Sequence, residues 1–270
     1  MSKEVSKALL INTFWSIGGR FGYLIIGLMT NIFLSRLLTP KEFGQVAIMM
    51  FFVVISTVLI ESGLSGALIR KKNVSEDDYS TVFIFNLIIS SLIALILIGI
   101  SPYIAEYYKD PQLEEIIKWS TLALFINALG IVQTTKLIRE MRFKVKALCE
   151  FVAIFLGSVI SISLALRGFG VWALVILQIS MATVLNILLW CVVGPLKNYN
   201  FSFQSFGGIY KFGANTTLAL ILSTVFDNIY QLIIGKYFTL NQVGFFYQAK
   251  RLQEIPVGIV QGSVLNVIYS

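Results

Sequence analysis

The sequence predicts an all-α, polytopic membrane protein: a six-helix N-terminal lobe, then the first two helices of a parallel-repeat second lobe that is cut short. Three observations carry this prediction. The chain is 57% hydrophobic, with a mean hydropathy of +0.82 and only 13% charged residues, against about a quarter charged in soluble domains. Its charges crowd into short segments separated by charge-free runs such as Tyr79 to Ala105 and Gly168 to Leu196, each long enough to cross a hydrocarbon layer of about 30 Å. Finally, the stretch NIFLSRLLTPKEFGQVAIMM, Asn31 to Met50, recurs two hundred positions later as QLIIGKYFTLNQVGFFYQAK, Gln231 to Lys250.

Eight hydrophobic helices follow in order. The first runs from Leu9 to Leu34; Lys3 and Lys7 precede it as in a secretory signal, but no small-residue cleavage site follows and the apolar run continues through Arg20, so it reads as an uncleaved span. The next seven run from Phe43 to Ile69, Tyr79 to Ala105, Ile116 to Leu137, Leu148 to Leu166, Phe169 to Val193, Phe212 to Tyr237 and Val243 to Tyr269. The chain stops at Ser270 with no polar tail after its last apolar run, from which a fragment or a truncated reading frame is expected.

The two copies of the repeated stretch share one grammar. An apolar helix runs out into a basic residue (Arg36, Lys236), then come a Thr (Thr39, Thr239), a short polar corner, a Gly (Gly44, Gly244) and a new apolar helix. Self-similarity at a fixed offset marks duplicated architecture. Six spans separate the copies, and an even number returns the chain to the same side, so the repeats are expected to be parallel, related by an axis along the membrane normal. This divides the chain into an N-terminal lobe (1–196), a cytoplasmic inter-lobe linker (197–211), expected to lie along the headgroups, and the start of a second lobe (212–270).

Basic residues set the expected orientation. With the N-terminus inside, twelve Lys and Arg fall in inside segments and six in outside ones, the stretch from Arg139 to Lys146 voting most strongly. The net charge of +7 is therefore a topology signal, and nucleic acid is discounted as a partner. Two cysteines, Cys149 and Cys191, make no disulfide framework or metal spacing and read as small apolar fillers. The absence of histidine removes the commonest proton shuttle and metal ligand; no cofactor is expected.

An ionisable side chain inside a span costs about 2.5 to 3.5 kcal/mol on insertion scales, so it normally faces protein or a wet cavity. Five stand out: Arg20, Glu61, Asp227, Arg251 and Glu254. On the first helix Asn12, Ser16, Arg20, Tyr23, Gly27 and Asn31 share a face at three- and four-residue spacing; the seventh repeats this with Asn215, Ser223, Asp227 and Gln231, and the second offers Thr57, Glu61 and Ser65. These stripes are expected to turn toward a common interior. Arg20 with Glu61, and Asp227 with Arg251, stand equally as buried ion pairs that fix helix register and as substrate or coupling groups.

SRLLTPKEFGQVAI followed by ESGLSGALIRKK, and later FDNIYQLIIGKYFTLNQVGFFYQAKRLQEIPVGIVQGSV, resembles the bacterial polysaccharide flippases of the O-antigen, colanic acid and teichuronic acid type. These belong to the multidrug, oligosaccharidyl-lipid and polysaccharide exporter superfamily. The resemblance implies two six-helix lobes in a V, and movement of an undecaprenyl-diphosphate-linked oligosaccharide from the cytoplasmic to the outer leaflet of the inner membrane. Basic residues of the central cavity would hold the lipid diphosphate, a role carried over only to Arg20 and Arg251. The implied partners are the lipid-linked oligosaccharide and membrane lipids, together with a polysaccharide polymerase and a chain-length regulator. Rocking of one lobe against the other is the expected mechanism, with Asp227 or Glu61 coupling it to a cation or proton. The rival readings are a cation-coupled drug exporter of the same superfamily and a membrane-embedded polysaccharide polymerase. The second would need a catalytic constellation that short outside loops and scattered carboxylates do not supply, so no enzyme is expected.

Overall fold

A computed structural model describes the backbone of residues 2–61 and 63–268, and the side chains of 18–19, 21–61, 63–207 and 217–254. Among the described residues the chain is all helix: α1 (Ser2–Leu37), α2 (Pro40–Glu61), α3 (Leu64–Arg70), α4 (Glu76–Tyr107), α5 (Gln112–Arg139), α6 (Phe143–Leu166), α7 (Trp172–Val193), α8 (Phe203–Tyr237) and α9 (Leu240–Ile268). Six helices within these residues, counting α2 and α3 together, are long and apolar enough to cross a membrane, and the described part of α1 adds an apolar segment, Phe21–Leu37. This is a multi-pass membrane protein. A helix stands at each of the eight expected positions among the described residues, with one correction: the second is broken, and becomes α2 and α3. Gly63, with φ 63°, takes the left-handed turn at that break, a conformation open to glycine at little cost.

Helices extend past the apolar runs because lysine and arginine stems continue them into the headgroup zone. α6 begins at Phe143 and so takes in Lys144 and Lys146, and α8 begins at Phe203, making residues 203–211 helical. Side chains satisfy the termini of α3 and α4 where they meet. At α4, Ser75 and Asp78 form a reciprocal capping box, and Lys71 pairs with the buried Asp78 carboxylate at 2.7 Å. The Arg139 guanidinium donates to the carbonyls of Leu68, Lys71 and Lys72 at 2.7, 2.6 and 2.9 Å. It supplies the orphan acceptors at the end of α3 with donors from α5.

Lipid tails are as apolar as leucine, so helices in a bilayer associate through close approach and interhelical hydrogen bonds. α1 lies along α6 in the same direction: Gly19 meets Ala147, Gly22 meets Phe151, Gly27 meets Ile154, and Thr30 donates to Ser158 at 2.7 Å. α6 meets α7 through Gly157 and through Ser161, which donates to the Ala173 carbonyl at 2.7 Å. Asn186 of α7 fits onto Gly130 of α5, and Trp190 donates to the Leu129 carbonyl at 3.0 Å. Leu34, Phe43, Val46, Ile116, Leu124 and Leu174 fill the end of the bundle nearest the α1–α2 turn. Outward residues such as Leu95, 66% exposed, and Phe226, 70% exposed, present apolar surface to lipid.

Contacts at the two ends fix the sense of the repeated hairpins. Lys136 and Lys197 both approach Glu76, at 3.6 and 3.7 Å, which gathers the start of α4, the end of α5 and the approach to α8 at one end, the basic end. Lys41 pairs with Asp110 at 2.9 Å and Tyr108 donates to the Leu232 carbonyl at 3.3 Å at the other, far end. α1 and α8 therefore run from the basic end to the far end, and α2 and α9 return. The hairpins cross at their matched glycines. A Cβ on Gly44 would run into the Leu240 carbonyl, and one on Gly244 into the Pro40 carbonyl, with the two glycine backbones also in mutual contact.

Candidate functional site

The helix registers above leave a hollow, with polar and charged groups in its lining, between the first six spans and the first half of α9. Its largest chamber, about 650 Å³, is bounded by Tyr23 of α1, Met50 and Thr57 of α2, Asn127 of α5, Lys146 and Glu150 of α6, and Gln178 of α7. Tyr23 and Met181 are shared with a second chamber of about 220 Å³, which Thr30, Asn31, Ser158, Arg251 and Glu254 also line. Thr57, Asn127 and Leu185 are shared with a third of about 370 Å³, where Glu61, Ser65, Thr134, Thr135 and Asn186 gather. The far end of this hollow is filled by the Leu34, Phe43 and Leu174 cluster, whereas Phe143, Lys146 and Ala147 bound it toward the basic end.

Helical spacing explains who faces inward. Lys146 and Glu150 are one turn apart and form an ion pair at 2.5 Å, with side chains 26% and 35% exposed; Ala147 and Ala153 share their face. Arg251 lies one turn beyond Tyr247, whose hydroxyl accepts from its guanidinium at 3.4 Å and whose ring lies 5.9 Å away. Asn31 donates to Gln248 Oε1 at 2.8 Å, bridging α1 and α9 at the rim. The hollow thus presents the Arg251 guanidinium, the Lys146–Glu150 ion pair, neutral hydrogen-bonding groups, and the carboxylates of Glu61 and Glu254.

Of the expected site residues, Arg251, Glu61 and Asn31 line these chambers. Asp227 does not, and among the described residues none of the three takes any lining from α8. Asp227 is exposed; its carboxylate accepts from Ser223 at 3.4 Å, while Lys250 donates to its backbone carbonyl at 2.5 Å and approaches Glu254 at 3.7 Å. The expected Asp227–Arg251 pair is replaced: Lys250 takes the α8 contact, and Arg251, one residue further around the helix, turns to Tyr247. Gln231 is 2% exposed at the far end, with Oε1 unpartnered. The side chains of Arg20, Asn12 and Asn215, and with them the Arg20–Glu61 pair, lie outside the described residues. Cys149 is buried as expected of a filler, whereas Cys191 is exposed. The sequence reading passes over Lys146 and Glu150, since charges beside a predicted loop look like topology signals; their opposite signs at a four-residue interval were the available clue.

Fold and hollow define a multi-pass α-helical membrane protein with a charged, polar interior. Residues 33–270 match the family described as polysaccharide biosynthesis protein, and the chain belongs to that family. It is 26% identical over 264 residues to the succinoglycan biosynthesis transport protein ExoT of Rhizobium meliloti, covering 98% of this chain and 53% of the relative. It is 22% identical over 272 residues to the teichuronic acid biosynthesis protein TuaB of Bacillus subtilis, covering 98% and 56%. It is 21% identical over 266 residues to the lipopolysaccharide biosynthesis protein WzxC of Escherichia coli, covering 94% and 52%. The chain thus spans about half the length of these relatives. No solved structure matches it.

Proposed function

We infer that the chain is part of a transporter that moves a lipid-diphosphate-linked oligosaccharide across the cytoplasmic membrane for surface polysaccharide synthesis, with its basic end and N-terminus in the cytoplasm. The observation that carries this reading is the place of Arg251, whose guanidinium meets the Tyr247 hydroxyl, in a hollow that also offers the neutral groups Asn31, Asn127, Gln178 and Thr57, with Lys146 held there in an ion pair with Glu150. A diphosphate leaves the headgroup layer only toward fixed positive charge, and Arg offers forked donors that keep their protons. Sugar hydroxyls need a wet, hydrogen-bonding wall, and the polyprenyl tail stays in lipid. ExoT is named a transport protein and all three relatives carry polysaccharide names, which supports a carrier over an enzyme. In this reading residues 1–196 form one lobe, 212–270 begin the second, and the lobes rock about the Gly44–Gly244 crossing. The hollow, filled at its far end, takes its cargo from the basic side.

Arg251→Ala in the full-length protein tests this. Surface polysaccharide should fall at least roughly tenfold, the loss of one or two charge-assisted hydrogen bonds at about 1.5 to 3 kcal/mol, while the amount of protein in the membrane stays constant. Undiminished polysaccharide in R251A would take Arg251 out of the mechanism.

A further inference from the structure

The start of α6 is built against its own stability. Lys144 and Lys146 are its second and fourth residues and no acid stands in its first turn, where the positive end of the helix dipole disfavours cations. Lys146 pairs with Glu150 in the order lysine before glutamate, the weaker of the two senses on a helix. Glu114 and Lys118 of α5, which line none of the three chambers, take the stronger one. A pair that serves its helix poorly and lines the largest chamber is the kind of local conflict that functional sites keep.

The two cations that line the hollow among the described residues differ in what holds them. Arg251 makes no ion pair there and meets the Tyr247 hydroxyl, while the nearby Glu254 is approached by Lys250. Lys146 is neutralised by Glu150, yet with side chains 26% and 35% exposed both remain open to the chamber. Lys146 bounds that chamber toward the basic end, and Tyr23 and Met181 join it to the chamber of Arg251, so an anion entering from the basic side passes the pair before it reaches the arginine. A diphosphate carries two anionic groups: one can bind Arg251 while the other contests Lys146. Two unopposed cations would grip such a cargo, since charge-assisted hydrogen bonds are about twice as strong as neutral ones, and a path conducts only when its sites bind firmly enough to load and weakly enough to unload. We propose that Glu150 is a release group, a tethered carboxylate that yields Lys146 to the cargo's phosphate and then takes the lysine back so that the cargo can leave. The exchange is one anion for another at a single ammonium, with no proton transferred, and the chamber of about 650 Å³ gives the displaced carboxylate room to turn aside. This role presupposes the carrier reading above and supplies what keeps its binding reversible.

The test is binding of tritiated farnesyl-diphosphate-linked glucose to the purified full-length protein in phosphatidylcholine nanodiscs, beside surface polysaccharide measured in cells. E150Q should bind this probe roughly tenfold or more tightly, the order of one charge-assisted hydrogen bond, yet export less polysaccharide than wild type at equal protein in the membrane. Affinity and export then move in opposite directions, which loss of a merely structural pair would not produce. E150A should move the same way, and it decides the matter should E150Q fold poorly. K146M/E150Q should cancel the gain, because the contested cation is gone. E140Q removes the same charge from an exposed residue that lines none of the chambers and should leave affinity unchanged. No gain in E150Q or E150A, including no binding at all, overturns the role of Glu150; so does an equal gain in K146M/E150Q or E140Q, or tighter binding with undiminished export. Should any of these occur while R251A still loses export, the carrier reading stands without its release group; should R251A keep full export as well, both fall.

Discussion

The two copies of the repeated hairpin, α1–α2 and α8–α9, solve the same turn identically and the same seam differently. Thr39 and Glu42 cap one another at the start of α2: the Thr39 amide donates to the Glu42 carboxylate at 2.6 Å, and the Glu42 amide to Thr39 Oγ1 at 3.4 Å. Two hundred residues on, Thr239 and Gln242 make the same box at 3.0 and 3.4 Å. The seams diverge. Where the α8–α9 corner meets α2, Gly235 leaves no room for a side chain, since a Cβ there would come within 3.2 Å of Ile48 and closer still to Tyr108, and Lys236 stacks on the Tyr107 ring at 3.6 Å. Burial pushes the Tyr108 hydroxyl up to about 12, so it remains a donor to the Leu232 carbonyl at physiological pH. Where the α1–α2 corner meets α9, Ser35 stands in the place of Gly235, and Asn31, Phe43, Phe245 and Gln248 border a groove of about 250 Å³. Duplication preserved what shapes the hairpin and released what glues it to its neighbour, so one seam is sealed and the other, among the described residues, is bridged by the Asn31–Gln248 hydrogen bond.

The crossing shared by both halves should be the most sensitive point. Gly44→Leu or Gly244→Leu drives a side chain into the opposing backbone, which cannot move aside as a flexible side chain would. Each is expected to lower stability by about 3 kcal/mol, read as a fall in unfolding midpoint in detergent. Equivalent losses at both positions would uphold the symmetry of the crossing, and a loss at only one would break it.

The seams themselves come next, with opposite signs. Asn31→Leu removes the donor to Gln248 and leaves that buried amide less satisfied, because Gln248 Nε2 and Asn31 Oδ1 already lack partners; it should cost about 1 to 3 kcal/mol. Gln231→Leu removes the equivalent residue on the sealed side. Gln231 is almost fully buried and its Oε1 is an orphan, and an apolar replacement of similar shape at such a place is near neutral or stabilising. Unfolding midpoints that shift together, in direction and size, would mean the two seams are energetically alike.

These contrasts also mark how far the sequence could be read. The order of the helices, the repeated corner and the inward placement of Tyr23, Gly27 and Asn31 on α1 followed from apolar run length, turn residues and helical period, because each is a property of a short segment. The break at Gly63 did not, since a lone glycine inside an apolar run is usually absorbed by the helix. Periodicity also put Asp227 and Ser223 on one stripe of α8, correctly, but stripe membership does not say what the stripe meets: α8 docks on α2 and α4 with another face, and Asp227 is left exposed. Lys146 and Glu150 were hidden for the converse reason. Charges near a predicted loop resemble topology signals until α6 is seen to begin at Phe143 and carry them onto its inner face.

The smallest effect isolates the one chemical difference between the two caps. Glu42 places a full negative charge at a helix start, where amide donors and the positive dipole end favour it, whereas Gln242 makes the same hydrogen bonds without charge. Gln242→Glu should therefore strengthen the second box, by about 0.3 to 1 kcal/mol at low ionic strength, and Glu42→Gln should weaken the first by a similar amount. Raising salt should shrink both changes, because these corners are exposed and screening acts on them fully. Thermal unfolding of the pair at low and high salt reads this directly. Were E42Q to cost far more than Q242E gains, the excess would measure what Glu42 does beyond its own helix, where its carboxylate sits against Gly170 in the α6–α7 turn, a contact that Gln242 is not seen to make.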